Sequence, residues 1–198
     1  MPQNVLKTVY NSLIQSHLNY CSNIWGLGSK SAINRIFTAQ KKAVRATDAG
    51  FNNCFYNTET GELPCHTKEI FARNNILTVH NLIAKNGLVA MHKVYINTSP
   101  TRISSLFQCN TDITESRRDP QFFGISKSRL FALDKTLPFK GPKLYNAVIN
   151  TLIINQTSKN PEKKFLSLFK KMVSCYLNAV QGMGSVEWDT GNFPLYGI

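Results

Sequence analysis

The stretch Ser31-Ala-Ile-Asn-Arg35-Ile-Phe-Thr-Ala-Gln40-Lys-Lys-Ala-Val-Arg45-Ala-Thr47 decides the fold class of this 198-residue chain. At 100° per residue, Ile33, Ile36, Phe37, Gln40, Ala43 and Val44 fall within one arc of about 120°, a face able to pack on a core. Arg35, Lys41, Lys42 and Arg45 fall on the opposite side. Ser29 or Ser31 can cap the start, because a serine oxygen accepts from a first-turn N–H that has no partner within the helix. The charged face carries no acidic residue, whereas a helix that is merely solvated usually mixes signs. The pattern therefore predicts a packed rod with a basic ridge, suited to following a phosphate backbone.

Upstream of this helix, Val5, Leu6, Val9, Tyr10, Leu13, Ile14, His17 and Leu18 recur at three- and four-residue spacing and predict a helix over residues 4–19. Tyr20 to Gly28 has no period and reads as a break, with Trp25 expected to bury its ring between the two flanking helices. Downstream, residues 48–65 are rich in glycine, asparagine and threonine, acidic, and hence loop. His66-Thr67-Lys68-Glu69-Ile70-Phe71 follows as a short turn with Thr67 as its cap. Val79, Leu82, Ile83, Val89 and Met91 mark a helix over residues 78–94, which Gly87 weakens by about 1 kcal/mol relative to alanine.

Residues 97–124 read as irregular, with Ser99-Pro100 and Asp119-Pro120 as breakers. Lys127 to Leu133 is the best strand candidate. Lys140-Gly141-Pro142 opens another helix with proline at an allowed early position, and Leu144, Tyr145, Val148 and Leu152 form its stripe. Asn160-Pro161-Glu162 supplies a cap, a proline and an acidic first turn for a last helix. Its packed face is Phe165, Leu168, Phe169, Met172, Val173, Tyr176 and Val180, with Lys163, Lys164, Lys170 and Lys171 opposite.

The sum is a mainly α chain, an irregular helical bundle with long loops and at most a short strand pair. Four parts are expected: a basic helical hairpin (1–48), a loop and helical middle segment (49–116), a basic C-terminal helical segment (117–180), and a glycine- and aromatic-rich tail (181–198) carrying Trp188, Phe193 and Tyr196.

Charge is the outlier of the composition. Twenty-three Lys and Arg against eleven Asp and Glu give a net charge of +12, gathered in two blocks: +5 over residues 1–48 and +9 over residues 117–171. Two basic blocks with a near-neutral middle suit a polyanion, since each phosphate contact releases counterions. The five cysteines (Cys21, Cys54, Cys65, Cys109, Cys175) are odd in number and form no CxxC pair, so they read as reduced thiols rather than a zinc ribbon or redox motif. Cys54, Cys65 and His66 fit no common metal-ligand spacing. His66, His80 and His92 include no pair at metal-binding helical spacing. No apolar run approaches the ~20 residues of a membrane span, and Met1-Pro2-Gln3-Asn4 shows no secretory leader. The expectation is an intracellular protein, cytoplasmic or nuclear, with no membrane contact.

The order of the segments resembles the region after the polymerase core in reverse transcriptases of non-LTR retrotransposons of the jockey and CR1 type. The matching pieces are the helix from Leu6 through Tyr20 running into Trp25-Gly26, and the helix bearing Gln40, Lys42 and Arg45. His66-Thr67 with Ile70-Phe71 follows, then Pro100 with Leu106-Phe107, then Lys140-Gly-Pro-Lys-Leu-Tyr-Asn146. Lys164-Phe165 through Lys171 closes the series. Tyr145 stands where that family usually has tryptophan, no Leu-Pro follows Asn146, and residues 48–65 are longer than the corresponding loop.

The resemblance implies a thumb-like and linker region that grips template–primer for a polymerase core on the same or another chain. Its partner would be RNA or an RNA–DNA duplex, followed by its backbone without reading sequence. The expected contacts are Arg35, Lys41, Lys42 and Arg45, then Arg117, Arg118, Lys127, Arg129, Lys140 and Lys143. The family's polymerases hold two metal ions with an Asp-Asp pair; this chain has none, and its five aspartates are scattered. No Gly-rich phosphate loop, GxSxG or HExxH motif is present. The expectation is accordingly a chain with no catalytic residue, metal, cofactor or small-molecule substrate of its own. A structural or protein-interaction module derived from a transposon fragment is the alternative.

Overall fold

In a computed structural model the residues described are 2–48, 67–109, 122–125, 129, 136–153 and 164–183, with backbone alone at 149–153, 164–168 and 179–183. These residues are 75% helical and contain no strand or sheet, as the periodicity predicts for a mainly α chain. An isolated antiparallel bridge between Cys109 and Phe123 is the β-type pairing among them. The strand expected over residues 127–133 lies outside the described residues, apart from Arg129.

Helix α1 (Gln3–Tyr10) continues through a π-helical turn (Asn11–Gln15) into α2 (Ser16–Asn19), and α3 is the single turn Ser22–Trp25. Then come α4 (Lys30–Ala46), α5 (Thr67–Arg73), α6 (Val79–Tyr95), α7 (Thr101–Ser104), α8 (Leu137–Ile153) and α9 (Lys164–Met183). Ser29 caps α4 by accepting from Ala32 N at 3.3 Å, and Thr78 caps α6 by accepting from Asn81 N at 3.4 Å.

Helix α6 is the axis of the fold because apolar residues lie all round it, a pattern that only burial satisfies. Ala84, Leu88 and Met91 of α6 pack with Leu144, Tyr145 and Val148 of α8, with Phe169, Val173 and Leu177 of α9, and with Phe107, Phe122 and Phe123. A second cluster gathers Tyr10, Val44, Ile70, Phe71 and Ile76, so residues 1–48 share a core with α5. Each such large side chain stabilises by about 1.5–3 kcal/mol when removed from water.

Two glycines set the close approaches. A Cβ at Gly26 would lie 2.7 Å from Ile83 side-chain carbons, and one at Gly141 would lie 2.6 Å from Met91 Sδ. Asn146 clamps the 122–123 backbone to α8. Its Oδ1 accepts from Phe122 N and Phe123 N at 3.1 Å, and its Nδ2 donates to Phe123 O at 2.8 Å.

Several elements depart from the sequence reading. The helix over residues 4–19 forms, but only half of its apolar stripe is covered. Tyr10 is buried and Leu6, Ile14 and Leu18 are half-buried, whereas Val5, Val9 and Leu13 are exposed, Leu13 by 63%. The π turn at Asn11–Gln15 shifts register within the run, and Ser12 Oγ donates back to the carbonyls of Thr8 and Val9 beside it.

The stretch from Tyr20 to Gly28 holds the turn α3 rather than a plain break. Trp25 does not plug the joint: it is half-buried and donates from Nε1 to Tyr20 O at 2.7 Å. The residue that closes on the neighbouring helix there is Gly26.

Residues 97–124 are not wholly irregular, since Pro100 precedes the turn α7. Helix α8 starts three residues before Lys140, because Thr136 O accepts from the N–H groups of Phe139 and Lys140. Pro142 therefore sits inside α8, where it donates nothing to the Pro138 carbonyl. Thr67 is the first residue of α5. The cap expected at residues 160–162, and the side chains of Leu152, Phe165, Leu168 and Val180, lie outside the described ones.

Candidate nucleic-acid interface

Helix α4 carries the first set of expected contacts, and the structure divides them. Arg35 and Lys42 are exposed. They stand seven residues apart, two turns and about 10 Å along one face. Among the described residues no carboxylate lies within ion-pair distance of either. Asp48 and Glu69 are the carboxylates there; Asp48 is buried and bound by Arg73 at 2.8 Å.

The four-residue ridge does not hold as drawn. Lys41 lies on the flank, its Nζ 4.2 Å from the Phe37 ring centroid. Arg45 turns inward and donates from Nε and Nη2 to Thr67 Oγ1 at 3.1 and 2.6 Å, tying α4 to α5. The reason is rotational. Arg45 lies about 80° around the helix from Arg35, on the side where α5 packs.

In the second set, Arg117, Arg118 and Lys127 lie outside the described residues. Arg129 and Lys143 are exposed and Lys140 is half-buried in the first turn of α8. Helix α8 meets α6 at Met91 and His92, whereas α4 meets α6 near its start, through Val79 and His80. The two helices thus meet α6 at points about three turns apart along it.

The sequence reading missed basic groups that the fold brings together. His80 of α6 packs T-shaped against Phe37, centroids 5.1 Å apart, the same ring that Lys41 covers. Burial lowers the His80 pKa, and the positive charges of Lys30 and Lys41 lower it further. Lys85 of α6 is likewise lowered by burial and then by Lys170 of α9. Each helix by itself showed its lysines; the pairing across helices had no sequence signal.

Residues that carry the resemblance to the retrotransposon family have mostly internal contacts. Gln40, placed in the apolar arc of α4, is buried with both amide ends used. Its Nε2 donates to Tyr10 Oη and Leu77 O at 2.9 Å, and its Oε1 accepts from Val79 N at 2.8 Å. Tyr145 Oη is hydrogen-bonded to His92 Nδ1 at 2.8 Å, and His92 stacks on Phe169 at 4.0 Å. Burial raises the Tyr145 hydroxyl well above the usual phenol range and lowers His92 to about 4. This pair is neutral near pH 7 and enclosed by aromatic rings.

Among the described residues no group of three His, Cys, Asp or Glu side chains could hold a metal ion. Cys21, Cys109 and Cys175 are exposed free thiols. No helix there is long and apolar enough to cross a membrane. A groove of about 810 Å³ opens between α3, α6 and α7, walled by Ile24, Val89, Ile103 and Phe107 with Asn23 and Lys93. No family model matches the chain, and neither a curated protein nor a solved structure matches it.

Proposed function

We propose that this chain is a non-catalytic nucleic-acid-binding module, a thumb-like part of a non-LTR retrotransposon reverse transcriptase. It grips an RNA or RNA–DNA duplex by its backbone for a polymerase core on the same or another chain. The observation that carries the reading is the outward pair Arg35 and Lys42 on α4, with no carboxylate within reach among the described residues. Charge left uncompensated on a rigid rod is what a backbone-tracking surface needs. Arg45 serves the fold through Thr67, and Lys41 belongs to the flank.

The test is the double variant R35Q/K42Q, titrated with an RNA–DNA duplex at several salt concentrations. Loss of two phosphate contacts should reduce the slope of log affinity against log salt by roughly 2, with the helical circular-dichroism signal unchanged. Equal affinity and equal slope in parent and variant would refute the assignment.

The second reading, a protein-interaction module, is favoured by one observation: Leu13, Tyr20 and Ile24 are 63%, 76% and 74% exposed near the apolar groove and the half-covered first helix. Its mark would be a protein complex that persists after nuclease treatment.

A further inference from the structure

Lys30 and Lys41 lie eleven residues apart on α4, three turns along one flank and about 16 Å end to end. His80 of α6 sits beside that flank, its ring T-shaped against Phe37 with centroids 5.1 Å apart, while Lys41 Nζ lies 4.2 Å from the centroid of the same ring. Phe37 is thus a shared platform that fixes both an imidazole and an ammonium. One strand of a duplex carries one charge per nucleotide, so a flank of this length can meet successive phosphates of the same strand.

We propose that the flank of α4 facing α6, from Lys30 through His80 to Lys41, is the track of one phosphodiester strand, and that His80 takes up a proton as the strand binds. The proposal rests on the nucleic-acid reading above and specifies where its strand runs. Arg35 and Lys42 lie about 100–140° further round α4, off this track.

The charged groups that face His80 from α4 are Lys30 and Lys41. Of the described carboxylates, Asp48 is bound to Arg73 and Glu69 lies on α5. Burial and the two ammonium groups keep the imidazole neutral in the free chain at pH values where an exposed histidine begins to charge. A phosphate strand laid over Lys30 and Lys41 reverses that field and favours the imidazolium. Binding and protonation are then linked, and affinity rises as pH falls through the range below about 6.5.

The experiment measures affinity for an RNA–DNA duplex at fixed salt from about pH 7.5 to about pH 5.5. It uses the parent, H80Q and K30Q/K41Q, each checked for its helical signal. The parent should tighten by about threefold or more across that range, and H80Q by well under twofold, while K30Q/K41Q loses affinity at every pH. The other ionisable groups are the same in both chains, so the difference between the two profiles isolates residue 80. Identical pH profiles for parent and H80Q overturn the proposal.

A parent chain that binds no duplex at any pH refutes the function proposed above instead. The site is then decided by the His80 imidazole resonance titrated with and without inorganic tripolyphosphate. A pKa raised by the tripolyphosphate upholds the site, and one left unmoved overturns it.

Discussion

Lowering the pH from about 7.5 toward 4 should destabilise this chain through His92, by a magnitude that follows from its burial. The side chain is fully buried, stacks on Phe169 at 4.0 Å and shares a hydrogen bond with Tyr145 Oη. Burial lowers its pKa from 6.5 to about 4 in the folded chain. A histidine with a depressed folded pKa stabilises fully above its unfolded pKa. That contribution is lost as pH falls through the interval between the two values, because only the unfolded chain then takes up the proton. At about 1.4 kcal/mol per pH unit, the interval from 6.5 to about 4 corresponds to about 3.5 kcal/mol, a large share of an ordinary domain's 5–15.

His80 is lowered too and acts in the same direction, so the comparison must isolate residue 92. Urea unfolding followed at 222 nm, at about pH 7.5, 6.5, 5.5 and 4.5, provides it for the parent and H92Q. The variant starts less stable, having lost the stack, but its stability should fall less over the acid range by about 2–3 kcal/mol. Parallel pH curves for parent and variant would refute the reasoning, since the acid loss would then arise elsewhere.

Gln40→Leu should cost about 3–5 kcal/mol despite adding an apolar side chain, because Tyr10 Oη, Leu77 O and Val79 N all lose their partner in the interior; chemical denaturation measures this, and a cost below about 1 kcal/mol would show those groups rehydrate. Gly26→Ala should destabilise by about 1–3 kcal/mol through contact with Ile83 and the Ser22 carbonyl, and the added substitution Ile83→Ala should leave a coupling energy of at least about 0.5 kcal/mol in a double-mutant cycle. Additive costs would mean that the backbone moves aside.

Helix α4 was legible because its period is long, its cap is local and nothing interrupts it. What each of its side chains does was not. Arg45 reads as one cation among several until Thr67, 22 residues later and across a loop, supplies its acceptor. Gln40 reads as a tolerated polar residue on an apolar arc, yet its three partners lie 30, 37 and 39 residues away. His92 sits between Met91 and Lys93 with no local mark of burial, because the ring that covers it belongs to α9. The π turn is invisible to a fixed 100° period, since it changes the register that the period assumes. The stripe from Val5 to Leu18 reads as one buried face, yet half of it is exposed, Val5 and Val9 ahead of the π turn included. Local rules located helices; side-chain roles depended on which helices meet.

That division bears on how the interface should be probed. Among the residues that carry the family resemblance, Gln40, Arg45, Thr67 and Asn146 are committed to internal hydrogen bonds. Substituting Arg45 would loosen the α4–α5 joint and disturb the rod itself, so a change in affinity there would say nothing about phosphate contact. Arg35 and Lys42 are exposed and have no carboxylate within ion-pair distance among the described residues, so neutralising them changes charge while leaving the core contacts in place. Lys30 shares that exposure, and Lys41 gives up only its seat on Phe37. A phosphate-binding surface is therefore to be sought among exposed cations such as Arg35 and Lys42 rather than at Arg45, which is occupied in holding α4 to α5.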